Sequence, residues 1–283
     1  MNKIILSADS TCDLGDLLKE RYGVSLYPLH IILNGNQYLD GVDITADGIY
    51  DTYYKYNVLP QTAAPNPVEF SKYFKKWTDA GYDVIHITIG SGISSSYQNS
   101  CLAAHEFDNV YTIDSCNLST GFGLLVIEAA ELIAKGMSAR EIVQEINELR
   151  SKIHASFILD SLKFLQASGR CSYLSALGAN LLNIKPCIEV DNTSGKMSVV
   201  KKYRGSLEKV LKHYTNDQLK DRTDLKLDRV FITHSGLSDE LIEVVQEEIK
   251  MVADFKEILI TRAGCTVSSH CGPNTLGVLF MTK

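Results

Sequence analysis

Through the first half of the chain, apolar runs of strand length alternate with stretches of helical period. That alternation restricts the fold more than any other feature. Runs at residues 3–8, 24–33, 83–89 and 109–113 are bounded by Gly, Asn and Asp, which marks them as strands. The helices between them have readable starts and stops. Asn66 precedes Pro67, an N-cap followed by proline at the first helical position, and Ser138-Ala139-Arg140-Glu141 has the spacing of a capping box. Ile142, Ile146, Leu149 and Ile153 then recur at helical spacing, while Gly136 is placed to close a preceding helix over 124–135. Strands separated by helices pair in parallel, and the helices cover both faces of the sheet.

The second half obeys a different pattern. Segments 186–191 and 196–203 flank Asn192-Thr193-Ser194-Gly195, a hairpin signal and hence antiparallel pairing. A strand at 229–233 leads to a helix over 238–252, with Asp239 and Glu240 in its first turn and Leu241, Val244, Val245, Ile249 and Val252 on one face. Strands at 256–261 and 276–281 follow. The expected architecture is therefore α/β in two domains. Residues 1–155 form a mostly parallel sheet with helices on both faces, and 156–283 an α+β domain with a largely antiparallel sheet.

Composition narrows the function classes. The 283 residues, 45% of them hydrophobic, can bury two modest cores. With 28 Lys+Arg against 34 Asp+Glu, bulk attraction to nucleic acid is not expected. Seven scattered cysteines without a C-x-x-C pair read as reduced thiols of a cytoplasmic protein rather than a zinc site or disulfide framework. The N-terminus turns polar too soon for a signal peptide, and no run of about 18 apolar residues occurs, so a soluble protein inside the cell is expected.

Three loops carry candidate chemistry. Pro60 to Pro67 holds three prolines, which would fix the hydroxyl of Thr62 or simply stiffen the start of the next helix. Gly90-Ser91-Gly92-Ile93-Ser94-Ser95-Ser96-Tyr97 follows a parallel strand and opens a helix, the place where α/β sheets bind ligands and where helix N–H groups favour an anion. It lacks the lysine of a phosphate-binding P-loop, and one of its serines could serve only as an N-cap. Ser268 to Asn274 contains His270, and a lone histidine is more often a structural residue than a ligand. No histidine spacing suggests a metal, and no G-x-S-x-G elbow is present.

Taken in order, these loops resemble the DegV family of bacterial fatty-acid-binding proteins nearly end to end. Ala8-Asp9-Ser10-Thr11-Cys12-Asp13 is similar to its D-S-x-x-D opening, Thr62 to the threonine of T-S-x-P-S, and Ile93 to Gln98 to L-S-G-T-Y-Q. Residues 110–115 with Gly121, 162–170, 182–186 and 270–277 resemble V-x-D-S…G, L-x-x-L-x-x-G-G-R, L-L-x-I-K-P and H-x-G-P-G-T-L-G. Ser95 stands where the family has glycine, Ser168 replaces the first glycine before Arg170, Asn274 replaces another, and Ala63 and Asn66 replace loop serines.

The resemblance implies one long-chain fatty acid, such as palmitate, stearate or oleate, in a tunnel between the domains. Its carboxylate would be bound by Thr62, Ser94, Ser95 and His270. It implies no catalytic residue, no metal and no cofactor. It also implies a separate fatty acid kinase, resembling dihydroxyacetone kinases, that phosphorylates the presented carboxylate for phospholipid synthesis. A monomer is expected, with Arg170, Lys202 and Arg204 available to dock the kinase or, transiently, a membrane. The apolar segment 173–184 is the candidate tunnel wall, or a buried core helix. The competing readings are a serine esterase with Ser94 as nucleophile and His270 as base, and a phosphate- or nucleotide-binding loop at 90–97.

Overall fold

The computed structural model describes residues 3–170 and 184–283. Its strands, numbered along the chain, are β1 (Ile4–Asp9), β2 (Ser25–Tyr27), β3 (His30–Leu33), β4 (Asn36–Leu39), β5 (Gln61–Ala63), β6 (Asp83–Thr88) and β7 (Val110–Asp114). They continue with β8 (Ile153–Ile158), β9 (Ile184–Val190), β10 (Met197–Arg204), β11 (Leu225–His234), β12 (Glu257–Arg262) and β13 (Leu276–Thr282). The helices are α1 (Gly15–Tyr22), α2 (Ala46–Tyr56), α3 (Pro67–Thr78), α4 (Ser96–Ala104), α5 (Ser119–Ala134) and α6 (Ala139–Leu149). After them come α7 (Lys163–Ser168), α8 (Leu207–Leu219), α9 (Asp239–Val252) and α10 (Cys265–Cys271).

The fold is α/β, as the two patterns require. One sheet is wholly parallel in the order β2-β1-β6-β7. The other runs β10-β9-β8-β13-β11-β12 and is antiparallel except where β11 meets β12. Between them lies α5, whose sequence is apolar round most of its circumference and so has no solvent face to offer. Ser119 to Ala129 are buried, and the helix packs on β1 and β6 of one sheet and on β8, β11 and β13 of the other. Each fully buried Leu, Ile or Val there contributes about 1.5–3 kcal/mol. Gly121 permits the close approach, because a Cβ at that position would lie 2.1 Å from Asn117 Oδ1 and 3.1 Å from the Ala155 Cβ.

The capping box at Ser138 forms, and the N-cap at Asn66 is a full capping box as well. Asn66 Oδ1 accepts from the Glu69 N–H at 3.0 Å while Glu69 accepts from the Asn66 N–H at 2.8 Å, and Ser138 and Glu141 repeat the exchange. The hairpin of β9 and β10 pairs antiparallel, with the Gly195 N–H donating to the Asp191 carbonyl at 2.7 Å.

Three expectations need correction. The run 24–33 is two strands in different sheets, since Pro28 has no N–H with which to continue a ladder. The first loop is partly a strand: β5 joins β3 and β4 in a small third sheet, where Thr62 pairs with Ile31. Most of the third loop is helix α10. Residues 173–183 of the proposed tunnel wall lie outside the described residues, and Ile184 opens β9. Among the described residues no helix is long and apolar enough to cross a membrane. Six of the seven cysteines are described, and all six are free thiols.

Candidate functional site

The loop after β6 is bound by its backbone to the parallel sheet and the segment that follows β7. The Ile89 N–H donates to Asp9 at 2.8 Å, the Gly90 N–H to the Asn117 carbonyl at 2.7 Å, and the Ser91 N–H to Asp114 at 3.0 Å. Ile93 and Ser94 N–H groups then fold back onto the Gly90 carbonyl, which turns Ser94 toward the gap between the sheets. Ser94 Oγ accepts from the Ser96 N–H at 3.2 Å, and Ser95 occupies the N-cap position of α4 without a side-chain cap bond. From the opposite side the tip of the β9–β10 hairpin presses on this loop at Gly92.

The gap is a cavity of about 360 Å³, a size ordinary for small-molecule sites. Ile89, Ile93 and Leu118 line it from the parallel sheet, and Phe157, Met197 and Leu279 from the mixed one. Thr62, Ser94, Ser95 and His270 all face this one cavity although they lie on β5, the β6–α4 loop and α10. His270 Nε2 and Thr62 Oγ1 are 2.8 Å apart, and the other ring nitrogen is buried without a partner among the described residues. When Nε2–H donates to Thr62, the threonine proton is free to point at an anionic oxygen in the cavity. Ser94 and Ser95, at the positive end of α4, meet the same need. Apolar walls together with these hydroxyl and imidazole groups suit an amphiphile whose head is an anion.

Burial, with the Arg170 guanidinium adding to it, pushes the His270 imidazole down to about 4. Any pH-dependent affinity that this ring carries therefore belongs on the acid side of neutrality. In the free protein the ring is neutral above about pH 4. A bound carboxylate raises that value, so affinity from imidazolium is present below it and is lost as pH rises through the bound-state value. Affinity is therefore expected to change less than about twofold between about pH 7 and pH 9. Displacement of a fluorescent ligand across that range checks this, and a tenfold fall would mean that the bound head group keeps the ring charged near neutrality.

Sequence reasoning missed several lining residues. Arg170 lines the cavity, whereas it had been assigned only to docking. Thr266 and Val267, four and three residues before His270 on α10, share its face and also line the cavity, a helical spacing invisible once the segment is read as loop. His234 and Ser235, at the end of β11, are further lining residues. Lys202 and Arg204 are exposed on β10, away from the cavity lining, while Lys201 beside them pairs with Asp217 at 2.6 Å. Among the described residues no group of His, Cys, Asp or Glu is arranged to hold a metal ion.

In comparison with known proteins, the sequence matches the profile of the DegV family, described as uncharacterised proteins, over residues 3–283. A DegV domain-containing protein of Clostridium perfringens is 32% identical and one of Clostridium acetobutylicum 30%, each match covering 100% of both chains. Among solved structures, a DegV family protein of Thermus thermophilus, described for its fatty acid binding, superposes with a TM-score of 0.86 at 28% identity over 100% of both chains. A fatty acid binding DegV family protein of Streptococcus agalactiae superposes at 0.83 with 25% identity, also over 100% of both chains.

Proposed function

The chain belongs to the DegV family, and from that premise we propose that it is a carrier that binds one long-chain fatty acid, such as palmitate, stearate or oleate. The acyl chain occupies the cavity between the sheets, and Thr62, Ser94, Ser95 and His270 bind the carboxylate. One observation carries the reading: a largely apolar cavity between the sheets onto which Thr62, Ser94, Ser95 and His270 all face, with Thr62 and His270 2.8 Å apart. The fatty acid binding described for the Thermus thermophilus and Streptococcus agalactiae relatives supports it. A hexadecanoyl chain has about 14 methylenes, and at ~0.8 kcal/mol each their burial is worth on the order of 11 kcal/mol before binding costs. That suffices for tight binding with a neutral head-group site, provided the carboxylate is hydrogen-bonded.

The carrier has no catalytic step of its own. It presents the carboxylate to a separate cytoplasmic fatty acid kinase resembling dihydroxyacetone kinases, acting as a monomer, with Arg170, Lys202 and Arg204 on its docking face. The esterase reading needs Ser94 bonded to a histidine that a carboxylate orients. Here the hydroxyl of Ser94 bonds to the Ser96 N–H, and His270 bonds to Thr62 with no carboxylate partner among the described residues.

Thr62→Ala and Ser94→Ala are each expected to weaken fatty-acid binding by about 1–3 kcal/mol, the range for a hydrogen bond to a charged group. A displacement titration measures the loss. Full affinity in both variants would place the head group elsewhere.

A further inference from the structure

His270 sits in the last turn of a seven-residue helix. A helix that short does not hold itself together in water, so its position depends on what caps and packs it. Its N-cap is Gly264, which has no side chain to offer. The missing cap comes from the other end of the sequence. Asp13 Oδ1 accepts from the Gly264 N–H at 2.8 Å, while Asp40 accepts from the Cys265 and Thr266 N–H groups at 2.8 and 3.1 Å. Both carboxyl groups are buried, each 4% exposed, and neither lines the cavity. They are themselves anchored, Asp13 by the Ser119 hydroxyl at 2.5 Å and Asp40 by the Ser10 hydroxyl at 2.9 Å.

We propose that Asp13 and Asp40 are positioning residues of the head-group site, fastening the start of α10 so that His270, one helical turn beyond the clamped amides, meets Thr62. The inference rests on the fatty-acid reading and gives the opening motif Asp9-Ser10-Thr11-Cys12-Asp13 a physical role. Asp9 secures the Ile89 amide at the root of the Ser94 loop, and Asp13 secures the root of the His270 helix. One short segment thus sets the separation of the hydroxyl and imidazole sides of the site. Gly264 is part of the same joint, since a Cβ there would lie 3.1 Å from Asp13 Oδ1 and 3.4 Å from Asp40 Oδ1. Burying two carboxyl groups is costly unless they are hydrogen-bonded, so a clamp of this kind is stable only while both are engaged. Burial, with Asp40 and Asp9 nearby, pushes the Asp13 carboxyl up to about 8. A protonated Asp13 keeps Oδ1 on the Gly264 N–H and can donate its own proton to the Ser119 hydroxyl oxygen, an arrangement the asparagine amide reproduces, whereas each Asp40 oxygen accepts from a backbone N–H, which an amide nitrogen cannot do.

The test compares Asp13→Ala, Asp13→Asn and Asp40→Asn by the affinity for palmitate and for its methyl ester, and by the ring NMR signals of His270 in the ligand-free protein. In Asp13→Ala, palmitate affinity is expected to fall about tenfold, the ester to bind as in the wild type, and the His270 signals to shift. Asp13→Asn should behave as the wild type, Asp40→Asn should lose acid affinity selectively, and adding Asp13→Ala to His270→Ala should cost nothing more. Equal losses for acid and ester, or unshifted His270 signals with full palmitate affinity, would overturn the proposal. If Asp13→Ala does not fold, Asp40→Asn decides by the same acid-to-ester comparison. If the wild-type protein binds neither ligand, the fatty-acid reading fails, and the His270 signals still judge the clamp.

Discussion

Decanoate is expected to bind this protein more than about a thousandfold more weakly than palmitate. The two acids share a carboxylate and differ by about six methylenes, each worth ~0.8 kcal/mol when buried, or about 5 kcal/mol in all. The head-group hydrogen bonds are the same for both and cancel in the comparison. A site on the surface, with only the carboxylate engaged at Thr62, Ser94 and His270, would not discriminate in this way. Isothermal titration or competitive displacement across a series of chain lengths gives the increment per carbon. A total difference below tenfold would mean that the chain stays in water and that the apolar walls from Ile93 to Leu279 do not receive it.

A single methyl group at residue 92 is expected to be as damaging to the fold as a core truncation. A Cβ on Gly92 would lie 2.1 Å from the Ser194 carbonyl oxygen and 2.9 Å from the Gly195 carbonyl carbon. Both are backbone atoms, so no side-chain rotation relieves the clash. The hairpin tip has little room to retreat: Gly195, at φ +67°, lies against Cys116, and Asn192 is bonded to Asn117 at 2.9 Å. Gly92→Ala should therefore cost about 3 kcal/mol, the upper part of the range for overpacking. It should also weaken fatty-acid binding, because Ser94 is two residues further on. Urea denaturation and a displacement titration read the two effects. A loss of stability below 1 kcal/mol, about the size of an ordinary surface change, would show that the joint yields.

Where structure is set by neighbours in sequence, it was legible. The N-cap at Asn66, the capping box at Ser138, the stop at Gly136 and the hairpin before Lys196 all depend on contacts within a few residues, and all formed as read. The β3–β4 hairpin was not read, although Asn34-Gly35 supplies the two positive φ angles, 51° and 78°, that its turn requires; the long apolar run before it hid the signal. Helix α10 was not legible. Its cap comes from Asp13 and Asp40, more than two hundred residues away, and without it Gly264-Cys265-Thr266 reads as loop. Thr62, Ser94 and His270 were each named as candidates from short motifs, but only the fold brings His270, 208 residues further along the chain, back beside Thr62. Arg170 was recognised as a conspicuous cation, yet its place at the cavity follows from the turn after α7, which no periodicity predicts.

The most direct measurement is native mass spectrometry of the protein purified without added lipid, followed by extraction and identification of whatever it carries. The account predicts one fatty acid of the palmitate, stearate or oleate class per chain, lost when Thr62, Ser94 and His270 are all replaced by alanine. A bound nucleotide, or a fatty acid retained at full occupancy by that triple variant, would contradict it.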